Sequence, residues 1–402
     1  MDQIAVVKSL VRVALAQGDE TVRYQAERLA AALRKSGDED AGAIERLLIA
    51  GAQTKNLAPS RLTKSSHSAQ VQLSERLLPG VAVPVDRESS APLATIVFPE
   101  NNNVALPVFP DGVTETISGL LLEWEHHGRI ADAGLSASLS CLIYGAPGTG
   151  KTTLALWLAK QLGLPAVVAR LDGLISSLLG TTARNLGALF TFANRYECVL
   201  ILDEFDAIAK LRDDPNEIGE IKRVVNTLLQ NIDAREGHGV IIGLTNHQSL
   251  LDPAVWRRFE VQLEVPLPGA NERLEIARVA LSPHPTDQTA EAKLLAWVTE
   301  GFSGSELVTL CSKFRKRLIL SDGNSGAPVQ TIAQLAMSTS VHTDRQRILT
   351  LGTDESRLMR SLAASVGVKF SHAEIAHLLG VSAKTVSRRL SELVDEGAND
   401  GK

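Results

Sequence analysis

The chain has 402 residues, too many for one ordinary domain and enough for two to four units, at least one of them able to bury a full core. Its formal charge of −5 is small for that length, so the molecule as a whole is no polyanion binder, and nucleic-acid contact requires a local basic patch. The most apolar N-terminal run, "IAVVKSLVRVALA", is broken by Lys8 and Arg12, is too short to span a bilayer and lacks a following small-residue cleavage signature; the expectation is a cytoplasmic protein without a membrane partner.

In chain order, Ile4, Val7, Val11 and Leu15 lie at helical spacing, and Val22, Ala26, Leu29 and Leu33 form a second stripe that stops at Gly37. Residues 1–53 therefore read as an N-terminal helical region, either packing on the rest of the chain or serving as a partner-binding module. From 54 to 112 the chain turns Ser/Lys-rich and then proline-punctuated, which predicts a linker with extended pieces such as "ATIVF". Helical spacing resumes from Val113 and leads into a core, 113–268, in which strands "SCLIY", "PAVVAR", "CVLIL", "GVIIGL" and "VQLEV" alternate with helices. Continuous apolar strands separated by helices predict an α/β fold, a parallel sheet covered by helices on both faces. After "PLPG" the pattern is all-helical over 269–340, and a further helical segment occupies 341–402. The three cysteines, Cys141, Cys198 and Cys311, show no metal-ligand spacing and read as buried, inert thiols.

"GAPGTGKT", Gly145 to Thr152, follows the strand "SCLIY" and opens a helix, the setting in which a P-loop works. Its glycines let backbone N–H groups turn toward phosphates, and the helix N-terminus adds partial positive charge. Lys151 is placed to reach the β- and γ-phosphates and Thr152 to put its hydroxyl on Mg²⁺. "CVLILDEFDA" ends a buried strand at Asp203, a candidate for the Mg²⁺ shell, with Glu204 beside it to polarise an attacking water. "GVIIGL" runs into "TNHQ", which sets Asn246 at the next strand tip, where an amide can bridge water and γ-phosphate. In "LLDPAVWRRFE", Asp252 as N-cap and Pro253 at the first helical position predict a short helix that presents Arg257 and Arg258 together at its end. An arginine facing away from its own site is suited to the γ-phosphate of a neighbouring subunit.

"YGAPGTGKTT", "LILDEFDAIAK", "LTNHQSLLDPAVWRRF" and "EGFSGSEL" together resemble, in order and spacing, the AAA+ ATPases, in particular the AAA clade with its arginine pair, over roughly Val113 to Leu320. The resemblance implies a P-loop NTPase core with an all-α lid, ATP and Mg²⁺ as cofactors, and a homo-oligomeric ring, usually a hexamer, in which Arg257 and Arg258 act in trans. It assigns Gly145, Ala146, Pro147, Gly148, Thr149, Gly150, Lys151, Thr152 and Thr153 to the nucleotide, and puts Ser303 and Gly304 near it at the start of a lid helix. Within the clade the sequence looks most like bacterial members whose genes often neighbour a subtilisin-like peptidase, which implies a peptidase as partner.

"GLISSLLGTTARNLGALF" occupies the clade's pore-loop position, where relatives carry aromatic-hydrophobic-Gly; here it reads Leu178, Leu179, Gly180. Leucine lacks the flat ring that wedges against a backbone or stacks on a base, which weakens the case for forceful threading and leaves a plain helix-capping loop as the alternative. Near the end, "HAEIAHLLGVSAKTVSRRL" has the small, turn and apolar positions of a helix-turn-helix at Ala376, Gly380 and Val386. Ser382 would cap a second helix bearing Lys384, Thr385, Ser387, Arg388 and Arg389. Between 341 and 392 there are eight Lys/Arg against five Asp/Glu, a local basic excess in an acidic chain. DNA binding and a packing or protein-contact role both fit. Three functions follow: a ring that remodels or switches a macromolecule, a DNA-bound regulatory ATPase, or an ATP-assembled scaffold for a partner enzyme such as a peptidase.

Overall fold

The computed structural model describes residues 75–170, 179–204, 218–235, 239–282, 289–320, 327–338, 346–352 and 354–399. The predicted N-terminal helices and Leu178 lie outside them. Everything described belongs to one unit, Leu73–Lys402. It begins with β1 (Glu75–Arg76), β2 (Ala94–Val97), α1 (Asp111–Glu125), α2 (His127–Asp132) and β3 (Ser140–Tyr144). Then follow α3 (Lys151–Gln161), β4 (Ala166–Arg170), α4 (Leu179–Arg195), β5 (Tyr196–Glu197), β6 (Val199–Asp203), α5 (Ile218–Ala234), β7 (Ile241–Thr245), α6 (Pro253–Trp256) and β8 (Val261–Glu264).

The alternation builds a six-stranded sheet in the order β2-β4-β6-β7-β3-β8, parallel except where β2 runs antiparallel to β4 along one edge. Both faces are buried, which is why the strands are apolar at consecutive positions. Leu142, Leu200 and Leu202 pack under Leu186 and Phe190 of α4 and Val224 and Leu228 of α5. Cys141, Ile143, Val199 and Ile201 pack on the other side against Ile117 and Trp124 of α1 and Leu154 and Leu158 of α3. Each fully buried Leu or Ile contributes roughly 2 kcal/mol of transfer free energy, so the two faces together hold the sheet between its helices. Burial pushes the thiols of Cys141 and Cys311 up to about 12 and also raises that of Cys198, which makes all three poor nucleophiles.

The stretch 54–112, expected to be a linker, is built into this body over its described part. "ATIVF" supplies β2, whose backbone groups are satisfied by β4 in register from Ala94 opposite Ala169 to Val97 opposite Ala166. Upstream, the Asp86 carboxylate accepts from Ser89 N at 2.7 Å and from Asn185 Nδ2 of α4 at 2.6 Å. Extended, proline-rich sequence does not distinguish a free tether from an edge segment, because both need only backbone that avoids helix.

Beyond β8 the chain is helical: α7 (Ala270–Leu281), α8 (Thr289–Val298), α9 (Gly304–Leu320) and α10 (Pro328–Met337), then α11 (Gln346–Leu351), α12 (Glu355–Ala363), α13 (His372–Leu379) and α14 (Ala383–Asn399). The first four form a lid and the last four the terminal module. Their apolar faces merge into one cluster that joins Leu294, Leu310 and Ile332 to Leu358, Ile375, Leu378 and Val386. Buried Arg273 ties the lid to its connection with the sheet, donating through Nη1 to Pro268 O at 2.9 Å and through Nε to Ala296 O at 2.8 Å. Among the described residues no helix is long and apolar enough to cross a membrane.

Candidate active site and helix-turn-helix

Parallel strands present their C-terminal tips on one side, and ligands of such sheets bind there. The tip of β3 runs into the loop 145–150, and α3 begins at Lys151. Gly148 has φ +76°, and a Cβ on it would lie 2.2 Å from Ser305 Oγ and 2.7 Å from Ser303 Oγ, so a side chain there is strained by conformation and has to displace the lid's two hydroxyls. Gly145 is pressed as closely against the strand-to-lid connection: its Cβ would lie 2.1 Å from Val265 O. Lys151 is buried, and its Nζ donates to Gly145 O at 2.9 Å and Ala146 O at 2.8 Å, while Thr149 Oγ1 donates to Ala146 O at 2.9 Å. The loop is thus a closed turn with the ammonium at its centre.

The second motif meets the first at the strand tips. Thr152 Oγ1 donates to Asp203 Oδ2 at 3.2 Å, although the two residues are 51 apart in sequence. Glu204 N–H donates to Asp203 Oδ1 at 2.9 Å. Glu204 has φ +54°, one of two non-glycine residues with positive φ among those described. That conformation costs an L-residue roughly 1–3 kcal/mol, and such strain persists where neighbouring structure imposes it, commonly at functional sites. Asn246 follows β7, which separates β6 from β3 in the sheet, so its backbone lies between the two motifs.

These residues line one cleft of about 820 Å³, bounded by Pro147–Thr153, Asp203, Glu204, Asn246 and, from the lid, Gly304 and Ser305. The lid helix α9 starts at a capping box: Ser303 N donates to Glu306 Oε2 at 2.8 Å and Glu306 N to Ser303 Oγ at 3.4 Å. Ser305 N then donates to Gly148 O at 3.0 Å, joining lid to loop directly. The cleft has further walls that motif reading missed: Pro107 and Phe109 from the pre-core segment, and Ile276, Val279 and Val308 from the lid. "LPVFP" was the available signal, a proline-clamped aromatic just ahead of the first core helix. An apolar slot beside a glycine-rich anion cradle has the mixed lining that a nucleotide needs.

The arginine pair sits as the capping signal required. Asp252 Oδ1 accepts from Ala254 N at 2.6 Å, Pro253 opens α6, and Arg257 and Arg258 emerge exposed at its end. Arg258 Nε pairs with Asp233 Oδ1, near the C-terminus of α5, at 2.6 Å. No local pattern in the sequence announces that partner. Of the predicted pore-loop residues, Leu179 and Gly180 are the first two residues of helix α4.

In the terminal module, α13 starts with a complete capping box between Ser371 and Glu374 and ends at Gly380, φ +70°. Ala376 and Val386 are buried, and Ser382 Oγ accepts from Thr385 N at 3.1 Å to start α14. Helix, turn and second helix are therefore formed as the spacing predicted. The five candidate contact residues divide. Lys384, Ser387 and Arg388 are exposed on α14, Thr385 is engaged in the cap, and Arg389 Nη1 is held by Glu355 Oε2 of α12 at 2.9 Å. Arg388 reaches Glu392 at 3.7 Å in an exposed, one-turn pair that is easily exchanged for another anion.

Residues 141–267 match the model of the family described as ATPases associated with various cellular activities (AAA), and residues 346–401 match the Crp-like helix-turn-helix domain. An uncharacterised AAA family ATPase of Sinorhizobium fredii is 34% identical over 293 residues, covering 70% of this chain and 86% of that protein. A putative 26S proteasome regulatory subunit homologue of Methanocaldococcus jannaschii is 35% identical over 193 residues, 46% of this chain and 51% of its own length. Among solved structures, the FIGL-1 AAA domain superposes with a TM-score of 0.50 at 21% identity, covering 64% of this chain and 90% of that domain, a likeness of fold. With the P-loop, the acidic strand tip and the lid assembled around one cleft, and a relative matched over most of its length, the chain belongs to the AAA family and is an ATPase.

Proposed function

We propose that this ATPase works as a subunit of a homo-oligomeric ring that couples ATP hydrolysis to remodelling or switching of a partner macromolecule. Bound ATP and Mg²⁺ supply the phosphoanhydride and the neutralising charge. Lys151 and the loop N–H groups bind the phosphates, Thr152 and Asp203 hold the cation, Glu204 accepts a proton from the attacking water, and Asn246 orients that water. Arg257 and Arg258 serve a neighbour's γ-phosphate, with Asp233 steadying Arg258. The observation that carries the reading is the Thr152–Asp203 hydrogen bond with the left-handed Glu204 beside it, because it joins both half-motifs at one cleft. Glu204→Gln should leave ATP binding intact and lower turnover by about 100-fold or more, measured as phosphate release against nucleotide affinity. Parental turnover in that variant would overturn the assignment.

A second reading is supported by the terminal module: the partner macromolecule is duplex DNA, met by Lys384, Ser387 and Arg388 on the second helix of the helix-turn-helix. Phosphate contacts from two basic residues imply a slope of log affinity against log salt of about −2, and replacing Arg388 should shallow it by about one. The pore-loop position, Leu178 to Gly180, favours switching over forceful threading, because it offers an apolar surface without an aromatic wedge. Replacing Leu178 by Tyr and by Ala separates the two: a gain in threading with Tyr argues for a gripping loop, and equal behaviour argues for a capping one.

A further inference from the structure

The terminal module is bolted to one lid helix. Along α8 and just past it, Glu291, Lys293, Trp297 and Glu300 all take partners from the module. Lys293 Nζ pairs with Glu374 Oε1 at 2.6 Å, and Glu291 Oε1 meets His377 Nε2 at 2.9 Å, both on α13, the first helix of the helix-turn-helix. Arg347 of α11 donates to Trp297 O at 2.9 Å, lies 5.3 Å over the Trp297 ring and pairs with Glu300. Beneath these polar ties runs the shared apolar core, in which Leu294, Leu295, Ile332, Leu362, Ile375, Leu378 and Val386 are fully buried. Independent motion is the default for domains joined by small polar interfaces, and a continuous apolar core with ion pairs at two points and the Glu291–His377 hydrogen bond removes that default. At its other end the lid rests on the P-loop through Ser305 N and Gly148 O, 3.0 Å apart, and through the two serine hydroxyls that crowd Gly148.

We propose that lid and helix-turn-helix move as one body, so that the nucleotide state of the P-loop sets how Lys384, Ser387 and Arg388 are presented to duplex DNA and thereby sets duplex affinity. This rests on the DNA reading above. The lid senses the loop directly at Gly148, α9 and α8 are packed within the same core, and α8 holds α13 by its side chains, so every step of the route is a packed or ion-paired contact. Linkage makes the coupling reciprocal: duplex must change nucleotide affinity by the same factor that nucleotide changes duplex affinity.

The test uses the full chain and a fluorescent random-sequence duplex as probe. Duplex Kd is measured with ADP, with a non-hydrolysable ATP analogue and without nucleotide, and analogue and ADP affinities are measured with and without duplex. A difference of about 5-fold or more between nucleotide states, matched in the reciprocal measurement, is expected. In the double variant Lys293→Gln, Arg347→Gln, duplex binding and ATPase activity should persist while the difference between nucleotide states shrinks. Equal duplex Kd in all nucleotide states overturns the coupling and leaves the DNA reading standing. Full nucleotide dependence in a folded double variant overturns the route through α8. Absence of duplex binding in every state overturns the DNA reading and the coupling together. The reciprocal measurement on the parent decides the coupling even where the double variant does not fold.

Discussion

Gly148 shows how one position links the phosphate loop to the lid. Its backbone lies in the left-handed region and its missing Cβ leaves room for Ser303 and Ser305 of the lid. Gly148→Ala meets two costs, a strained φ of roughly 1–2 kcal/mol and a collision that displaces the Ser303 and Ser305 hydroxyls of the lid. Nucleotide affinity should fall about 10-fold or more, read by titration of a fluorescent nucleotide. Adding Ser305→Gly relieves the nearer contact and should recover part of the loss, whereas an unaltered affinity in Gly148→Ala alone would show that lid and loop do not need to touch. Glu204 carries strain of the same kind for a different reason: its N–H is fixed on Asp203 Oδ1, so the backbone is held where its own preference would not put it.

Short elements do the positioning. Helix α6 has only four residues, too few to be stable by propagation, and exists because Asp252 caps it and Pro253 starts it. Asp252→Ala removes that cap at a cost of about 1 kcal/mol. Its larger effect is expected on turnover, because Arg257 and Arg258 lose their presentation while the nucleotide cleft is untouched. Steady-state ATPase activity should drop with nucleotide affinity retained, and parental activity would argue that Asp233 suffices to hold the arginine in place. Cap and proline were readable in sequence, since an N-cap is a local rule. The partner Asp233 was not, because it depends on which end of α5 meets α6 after the sheet has formed. The helix-turn-helix divides in the same way: Gly380 and Ser382 were legible as punctuation, while the retention of Arg389 by Glu355 was not.

For the ring proposed above, mixing separates cis from trans roles. Subunits with Arg257 and Arg258 replaced by Ala, and subunits with Lys151→Ala, are each expected to be inactive. Mixed together they should regain part of the activity, because an intact site of one kind can meet intact arginines of the other; no recovery across mixing ratios argues against action between subunits. A pH test probes the docking of the pre-core segment. Donation from Ser89 N–H, with further help from the Asn185 amide, lowers the Asp86 pKa from 3.8 to about 2. A carboxylate depressed in the folded state stabilises above its unfolded pKa and loses that contribution as pH falls through the folded one. Unfolding midpoints in urea should therefore decline between about pH 4 and pH 2 more steeply in the parent than in Asp86→Asn. Equal slopes would detach Asp86 from the stability of this segment.

Motif residues lay within reach of sequence reasoning because each motif is a local solution to a local problem. A phosphate cradle needs glycines ahead of a helix, a metal carboxylate needs a strand tip, and a short helix needs a cap. Their spacing along the chain then follows from strands and helices of ordinary length, so the α/β core, the lid and the helix-turn-helix could be laid out from periodicity and punctuation. Folding decided which surfaces met. It joined Thr152 to Asp203, made the proline-rich stretch into an edge strand and a wall of the cleft, and set Asp233 against Arg258. It also merged the lid and the terminal module, which periodicity had separated near residue 340, into one core. Each helix shows in its own sequence that it has an apolar face, and apolar contact is non-directional, so the partner for that face is chosen only when the whole chain competes for burial.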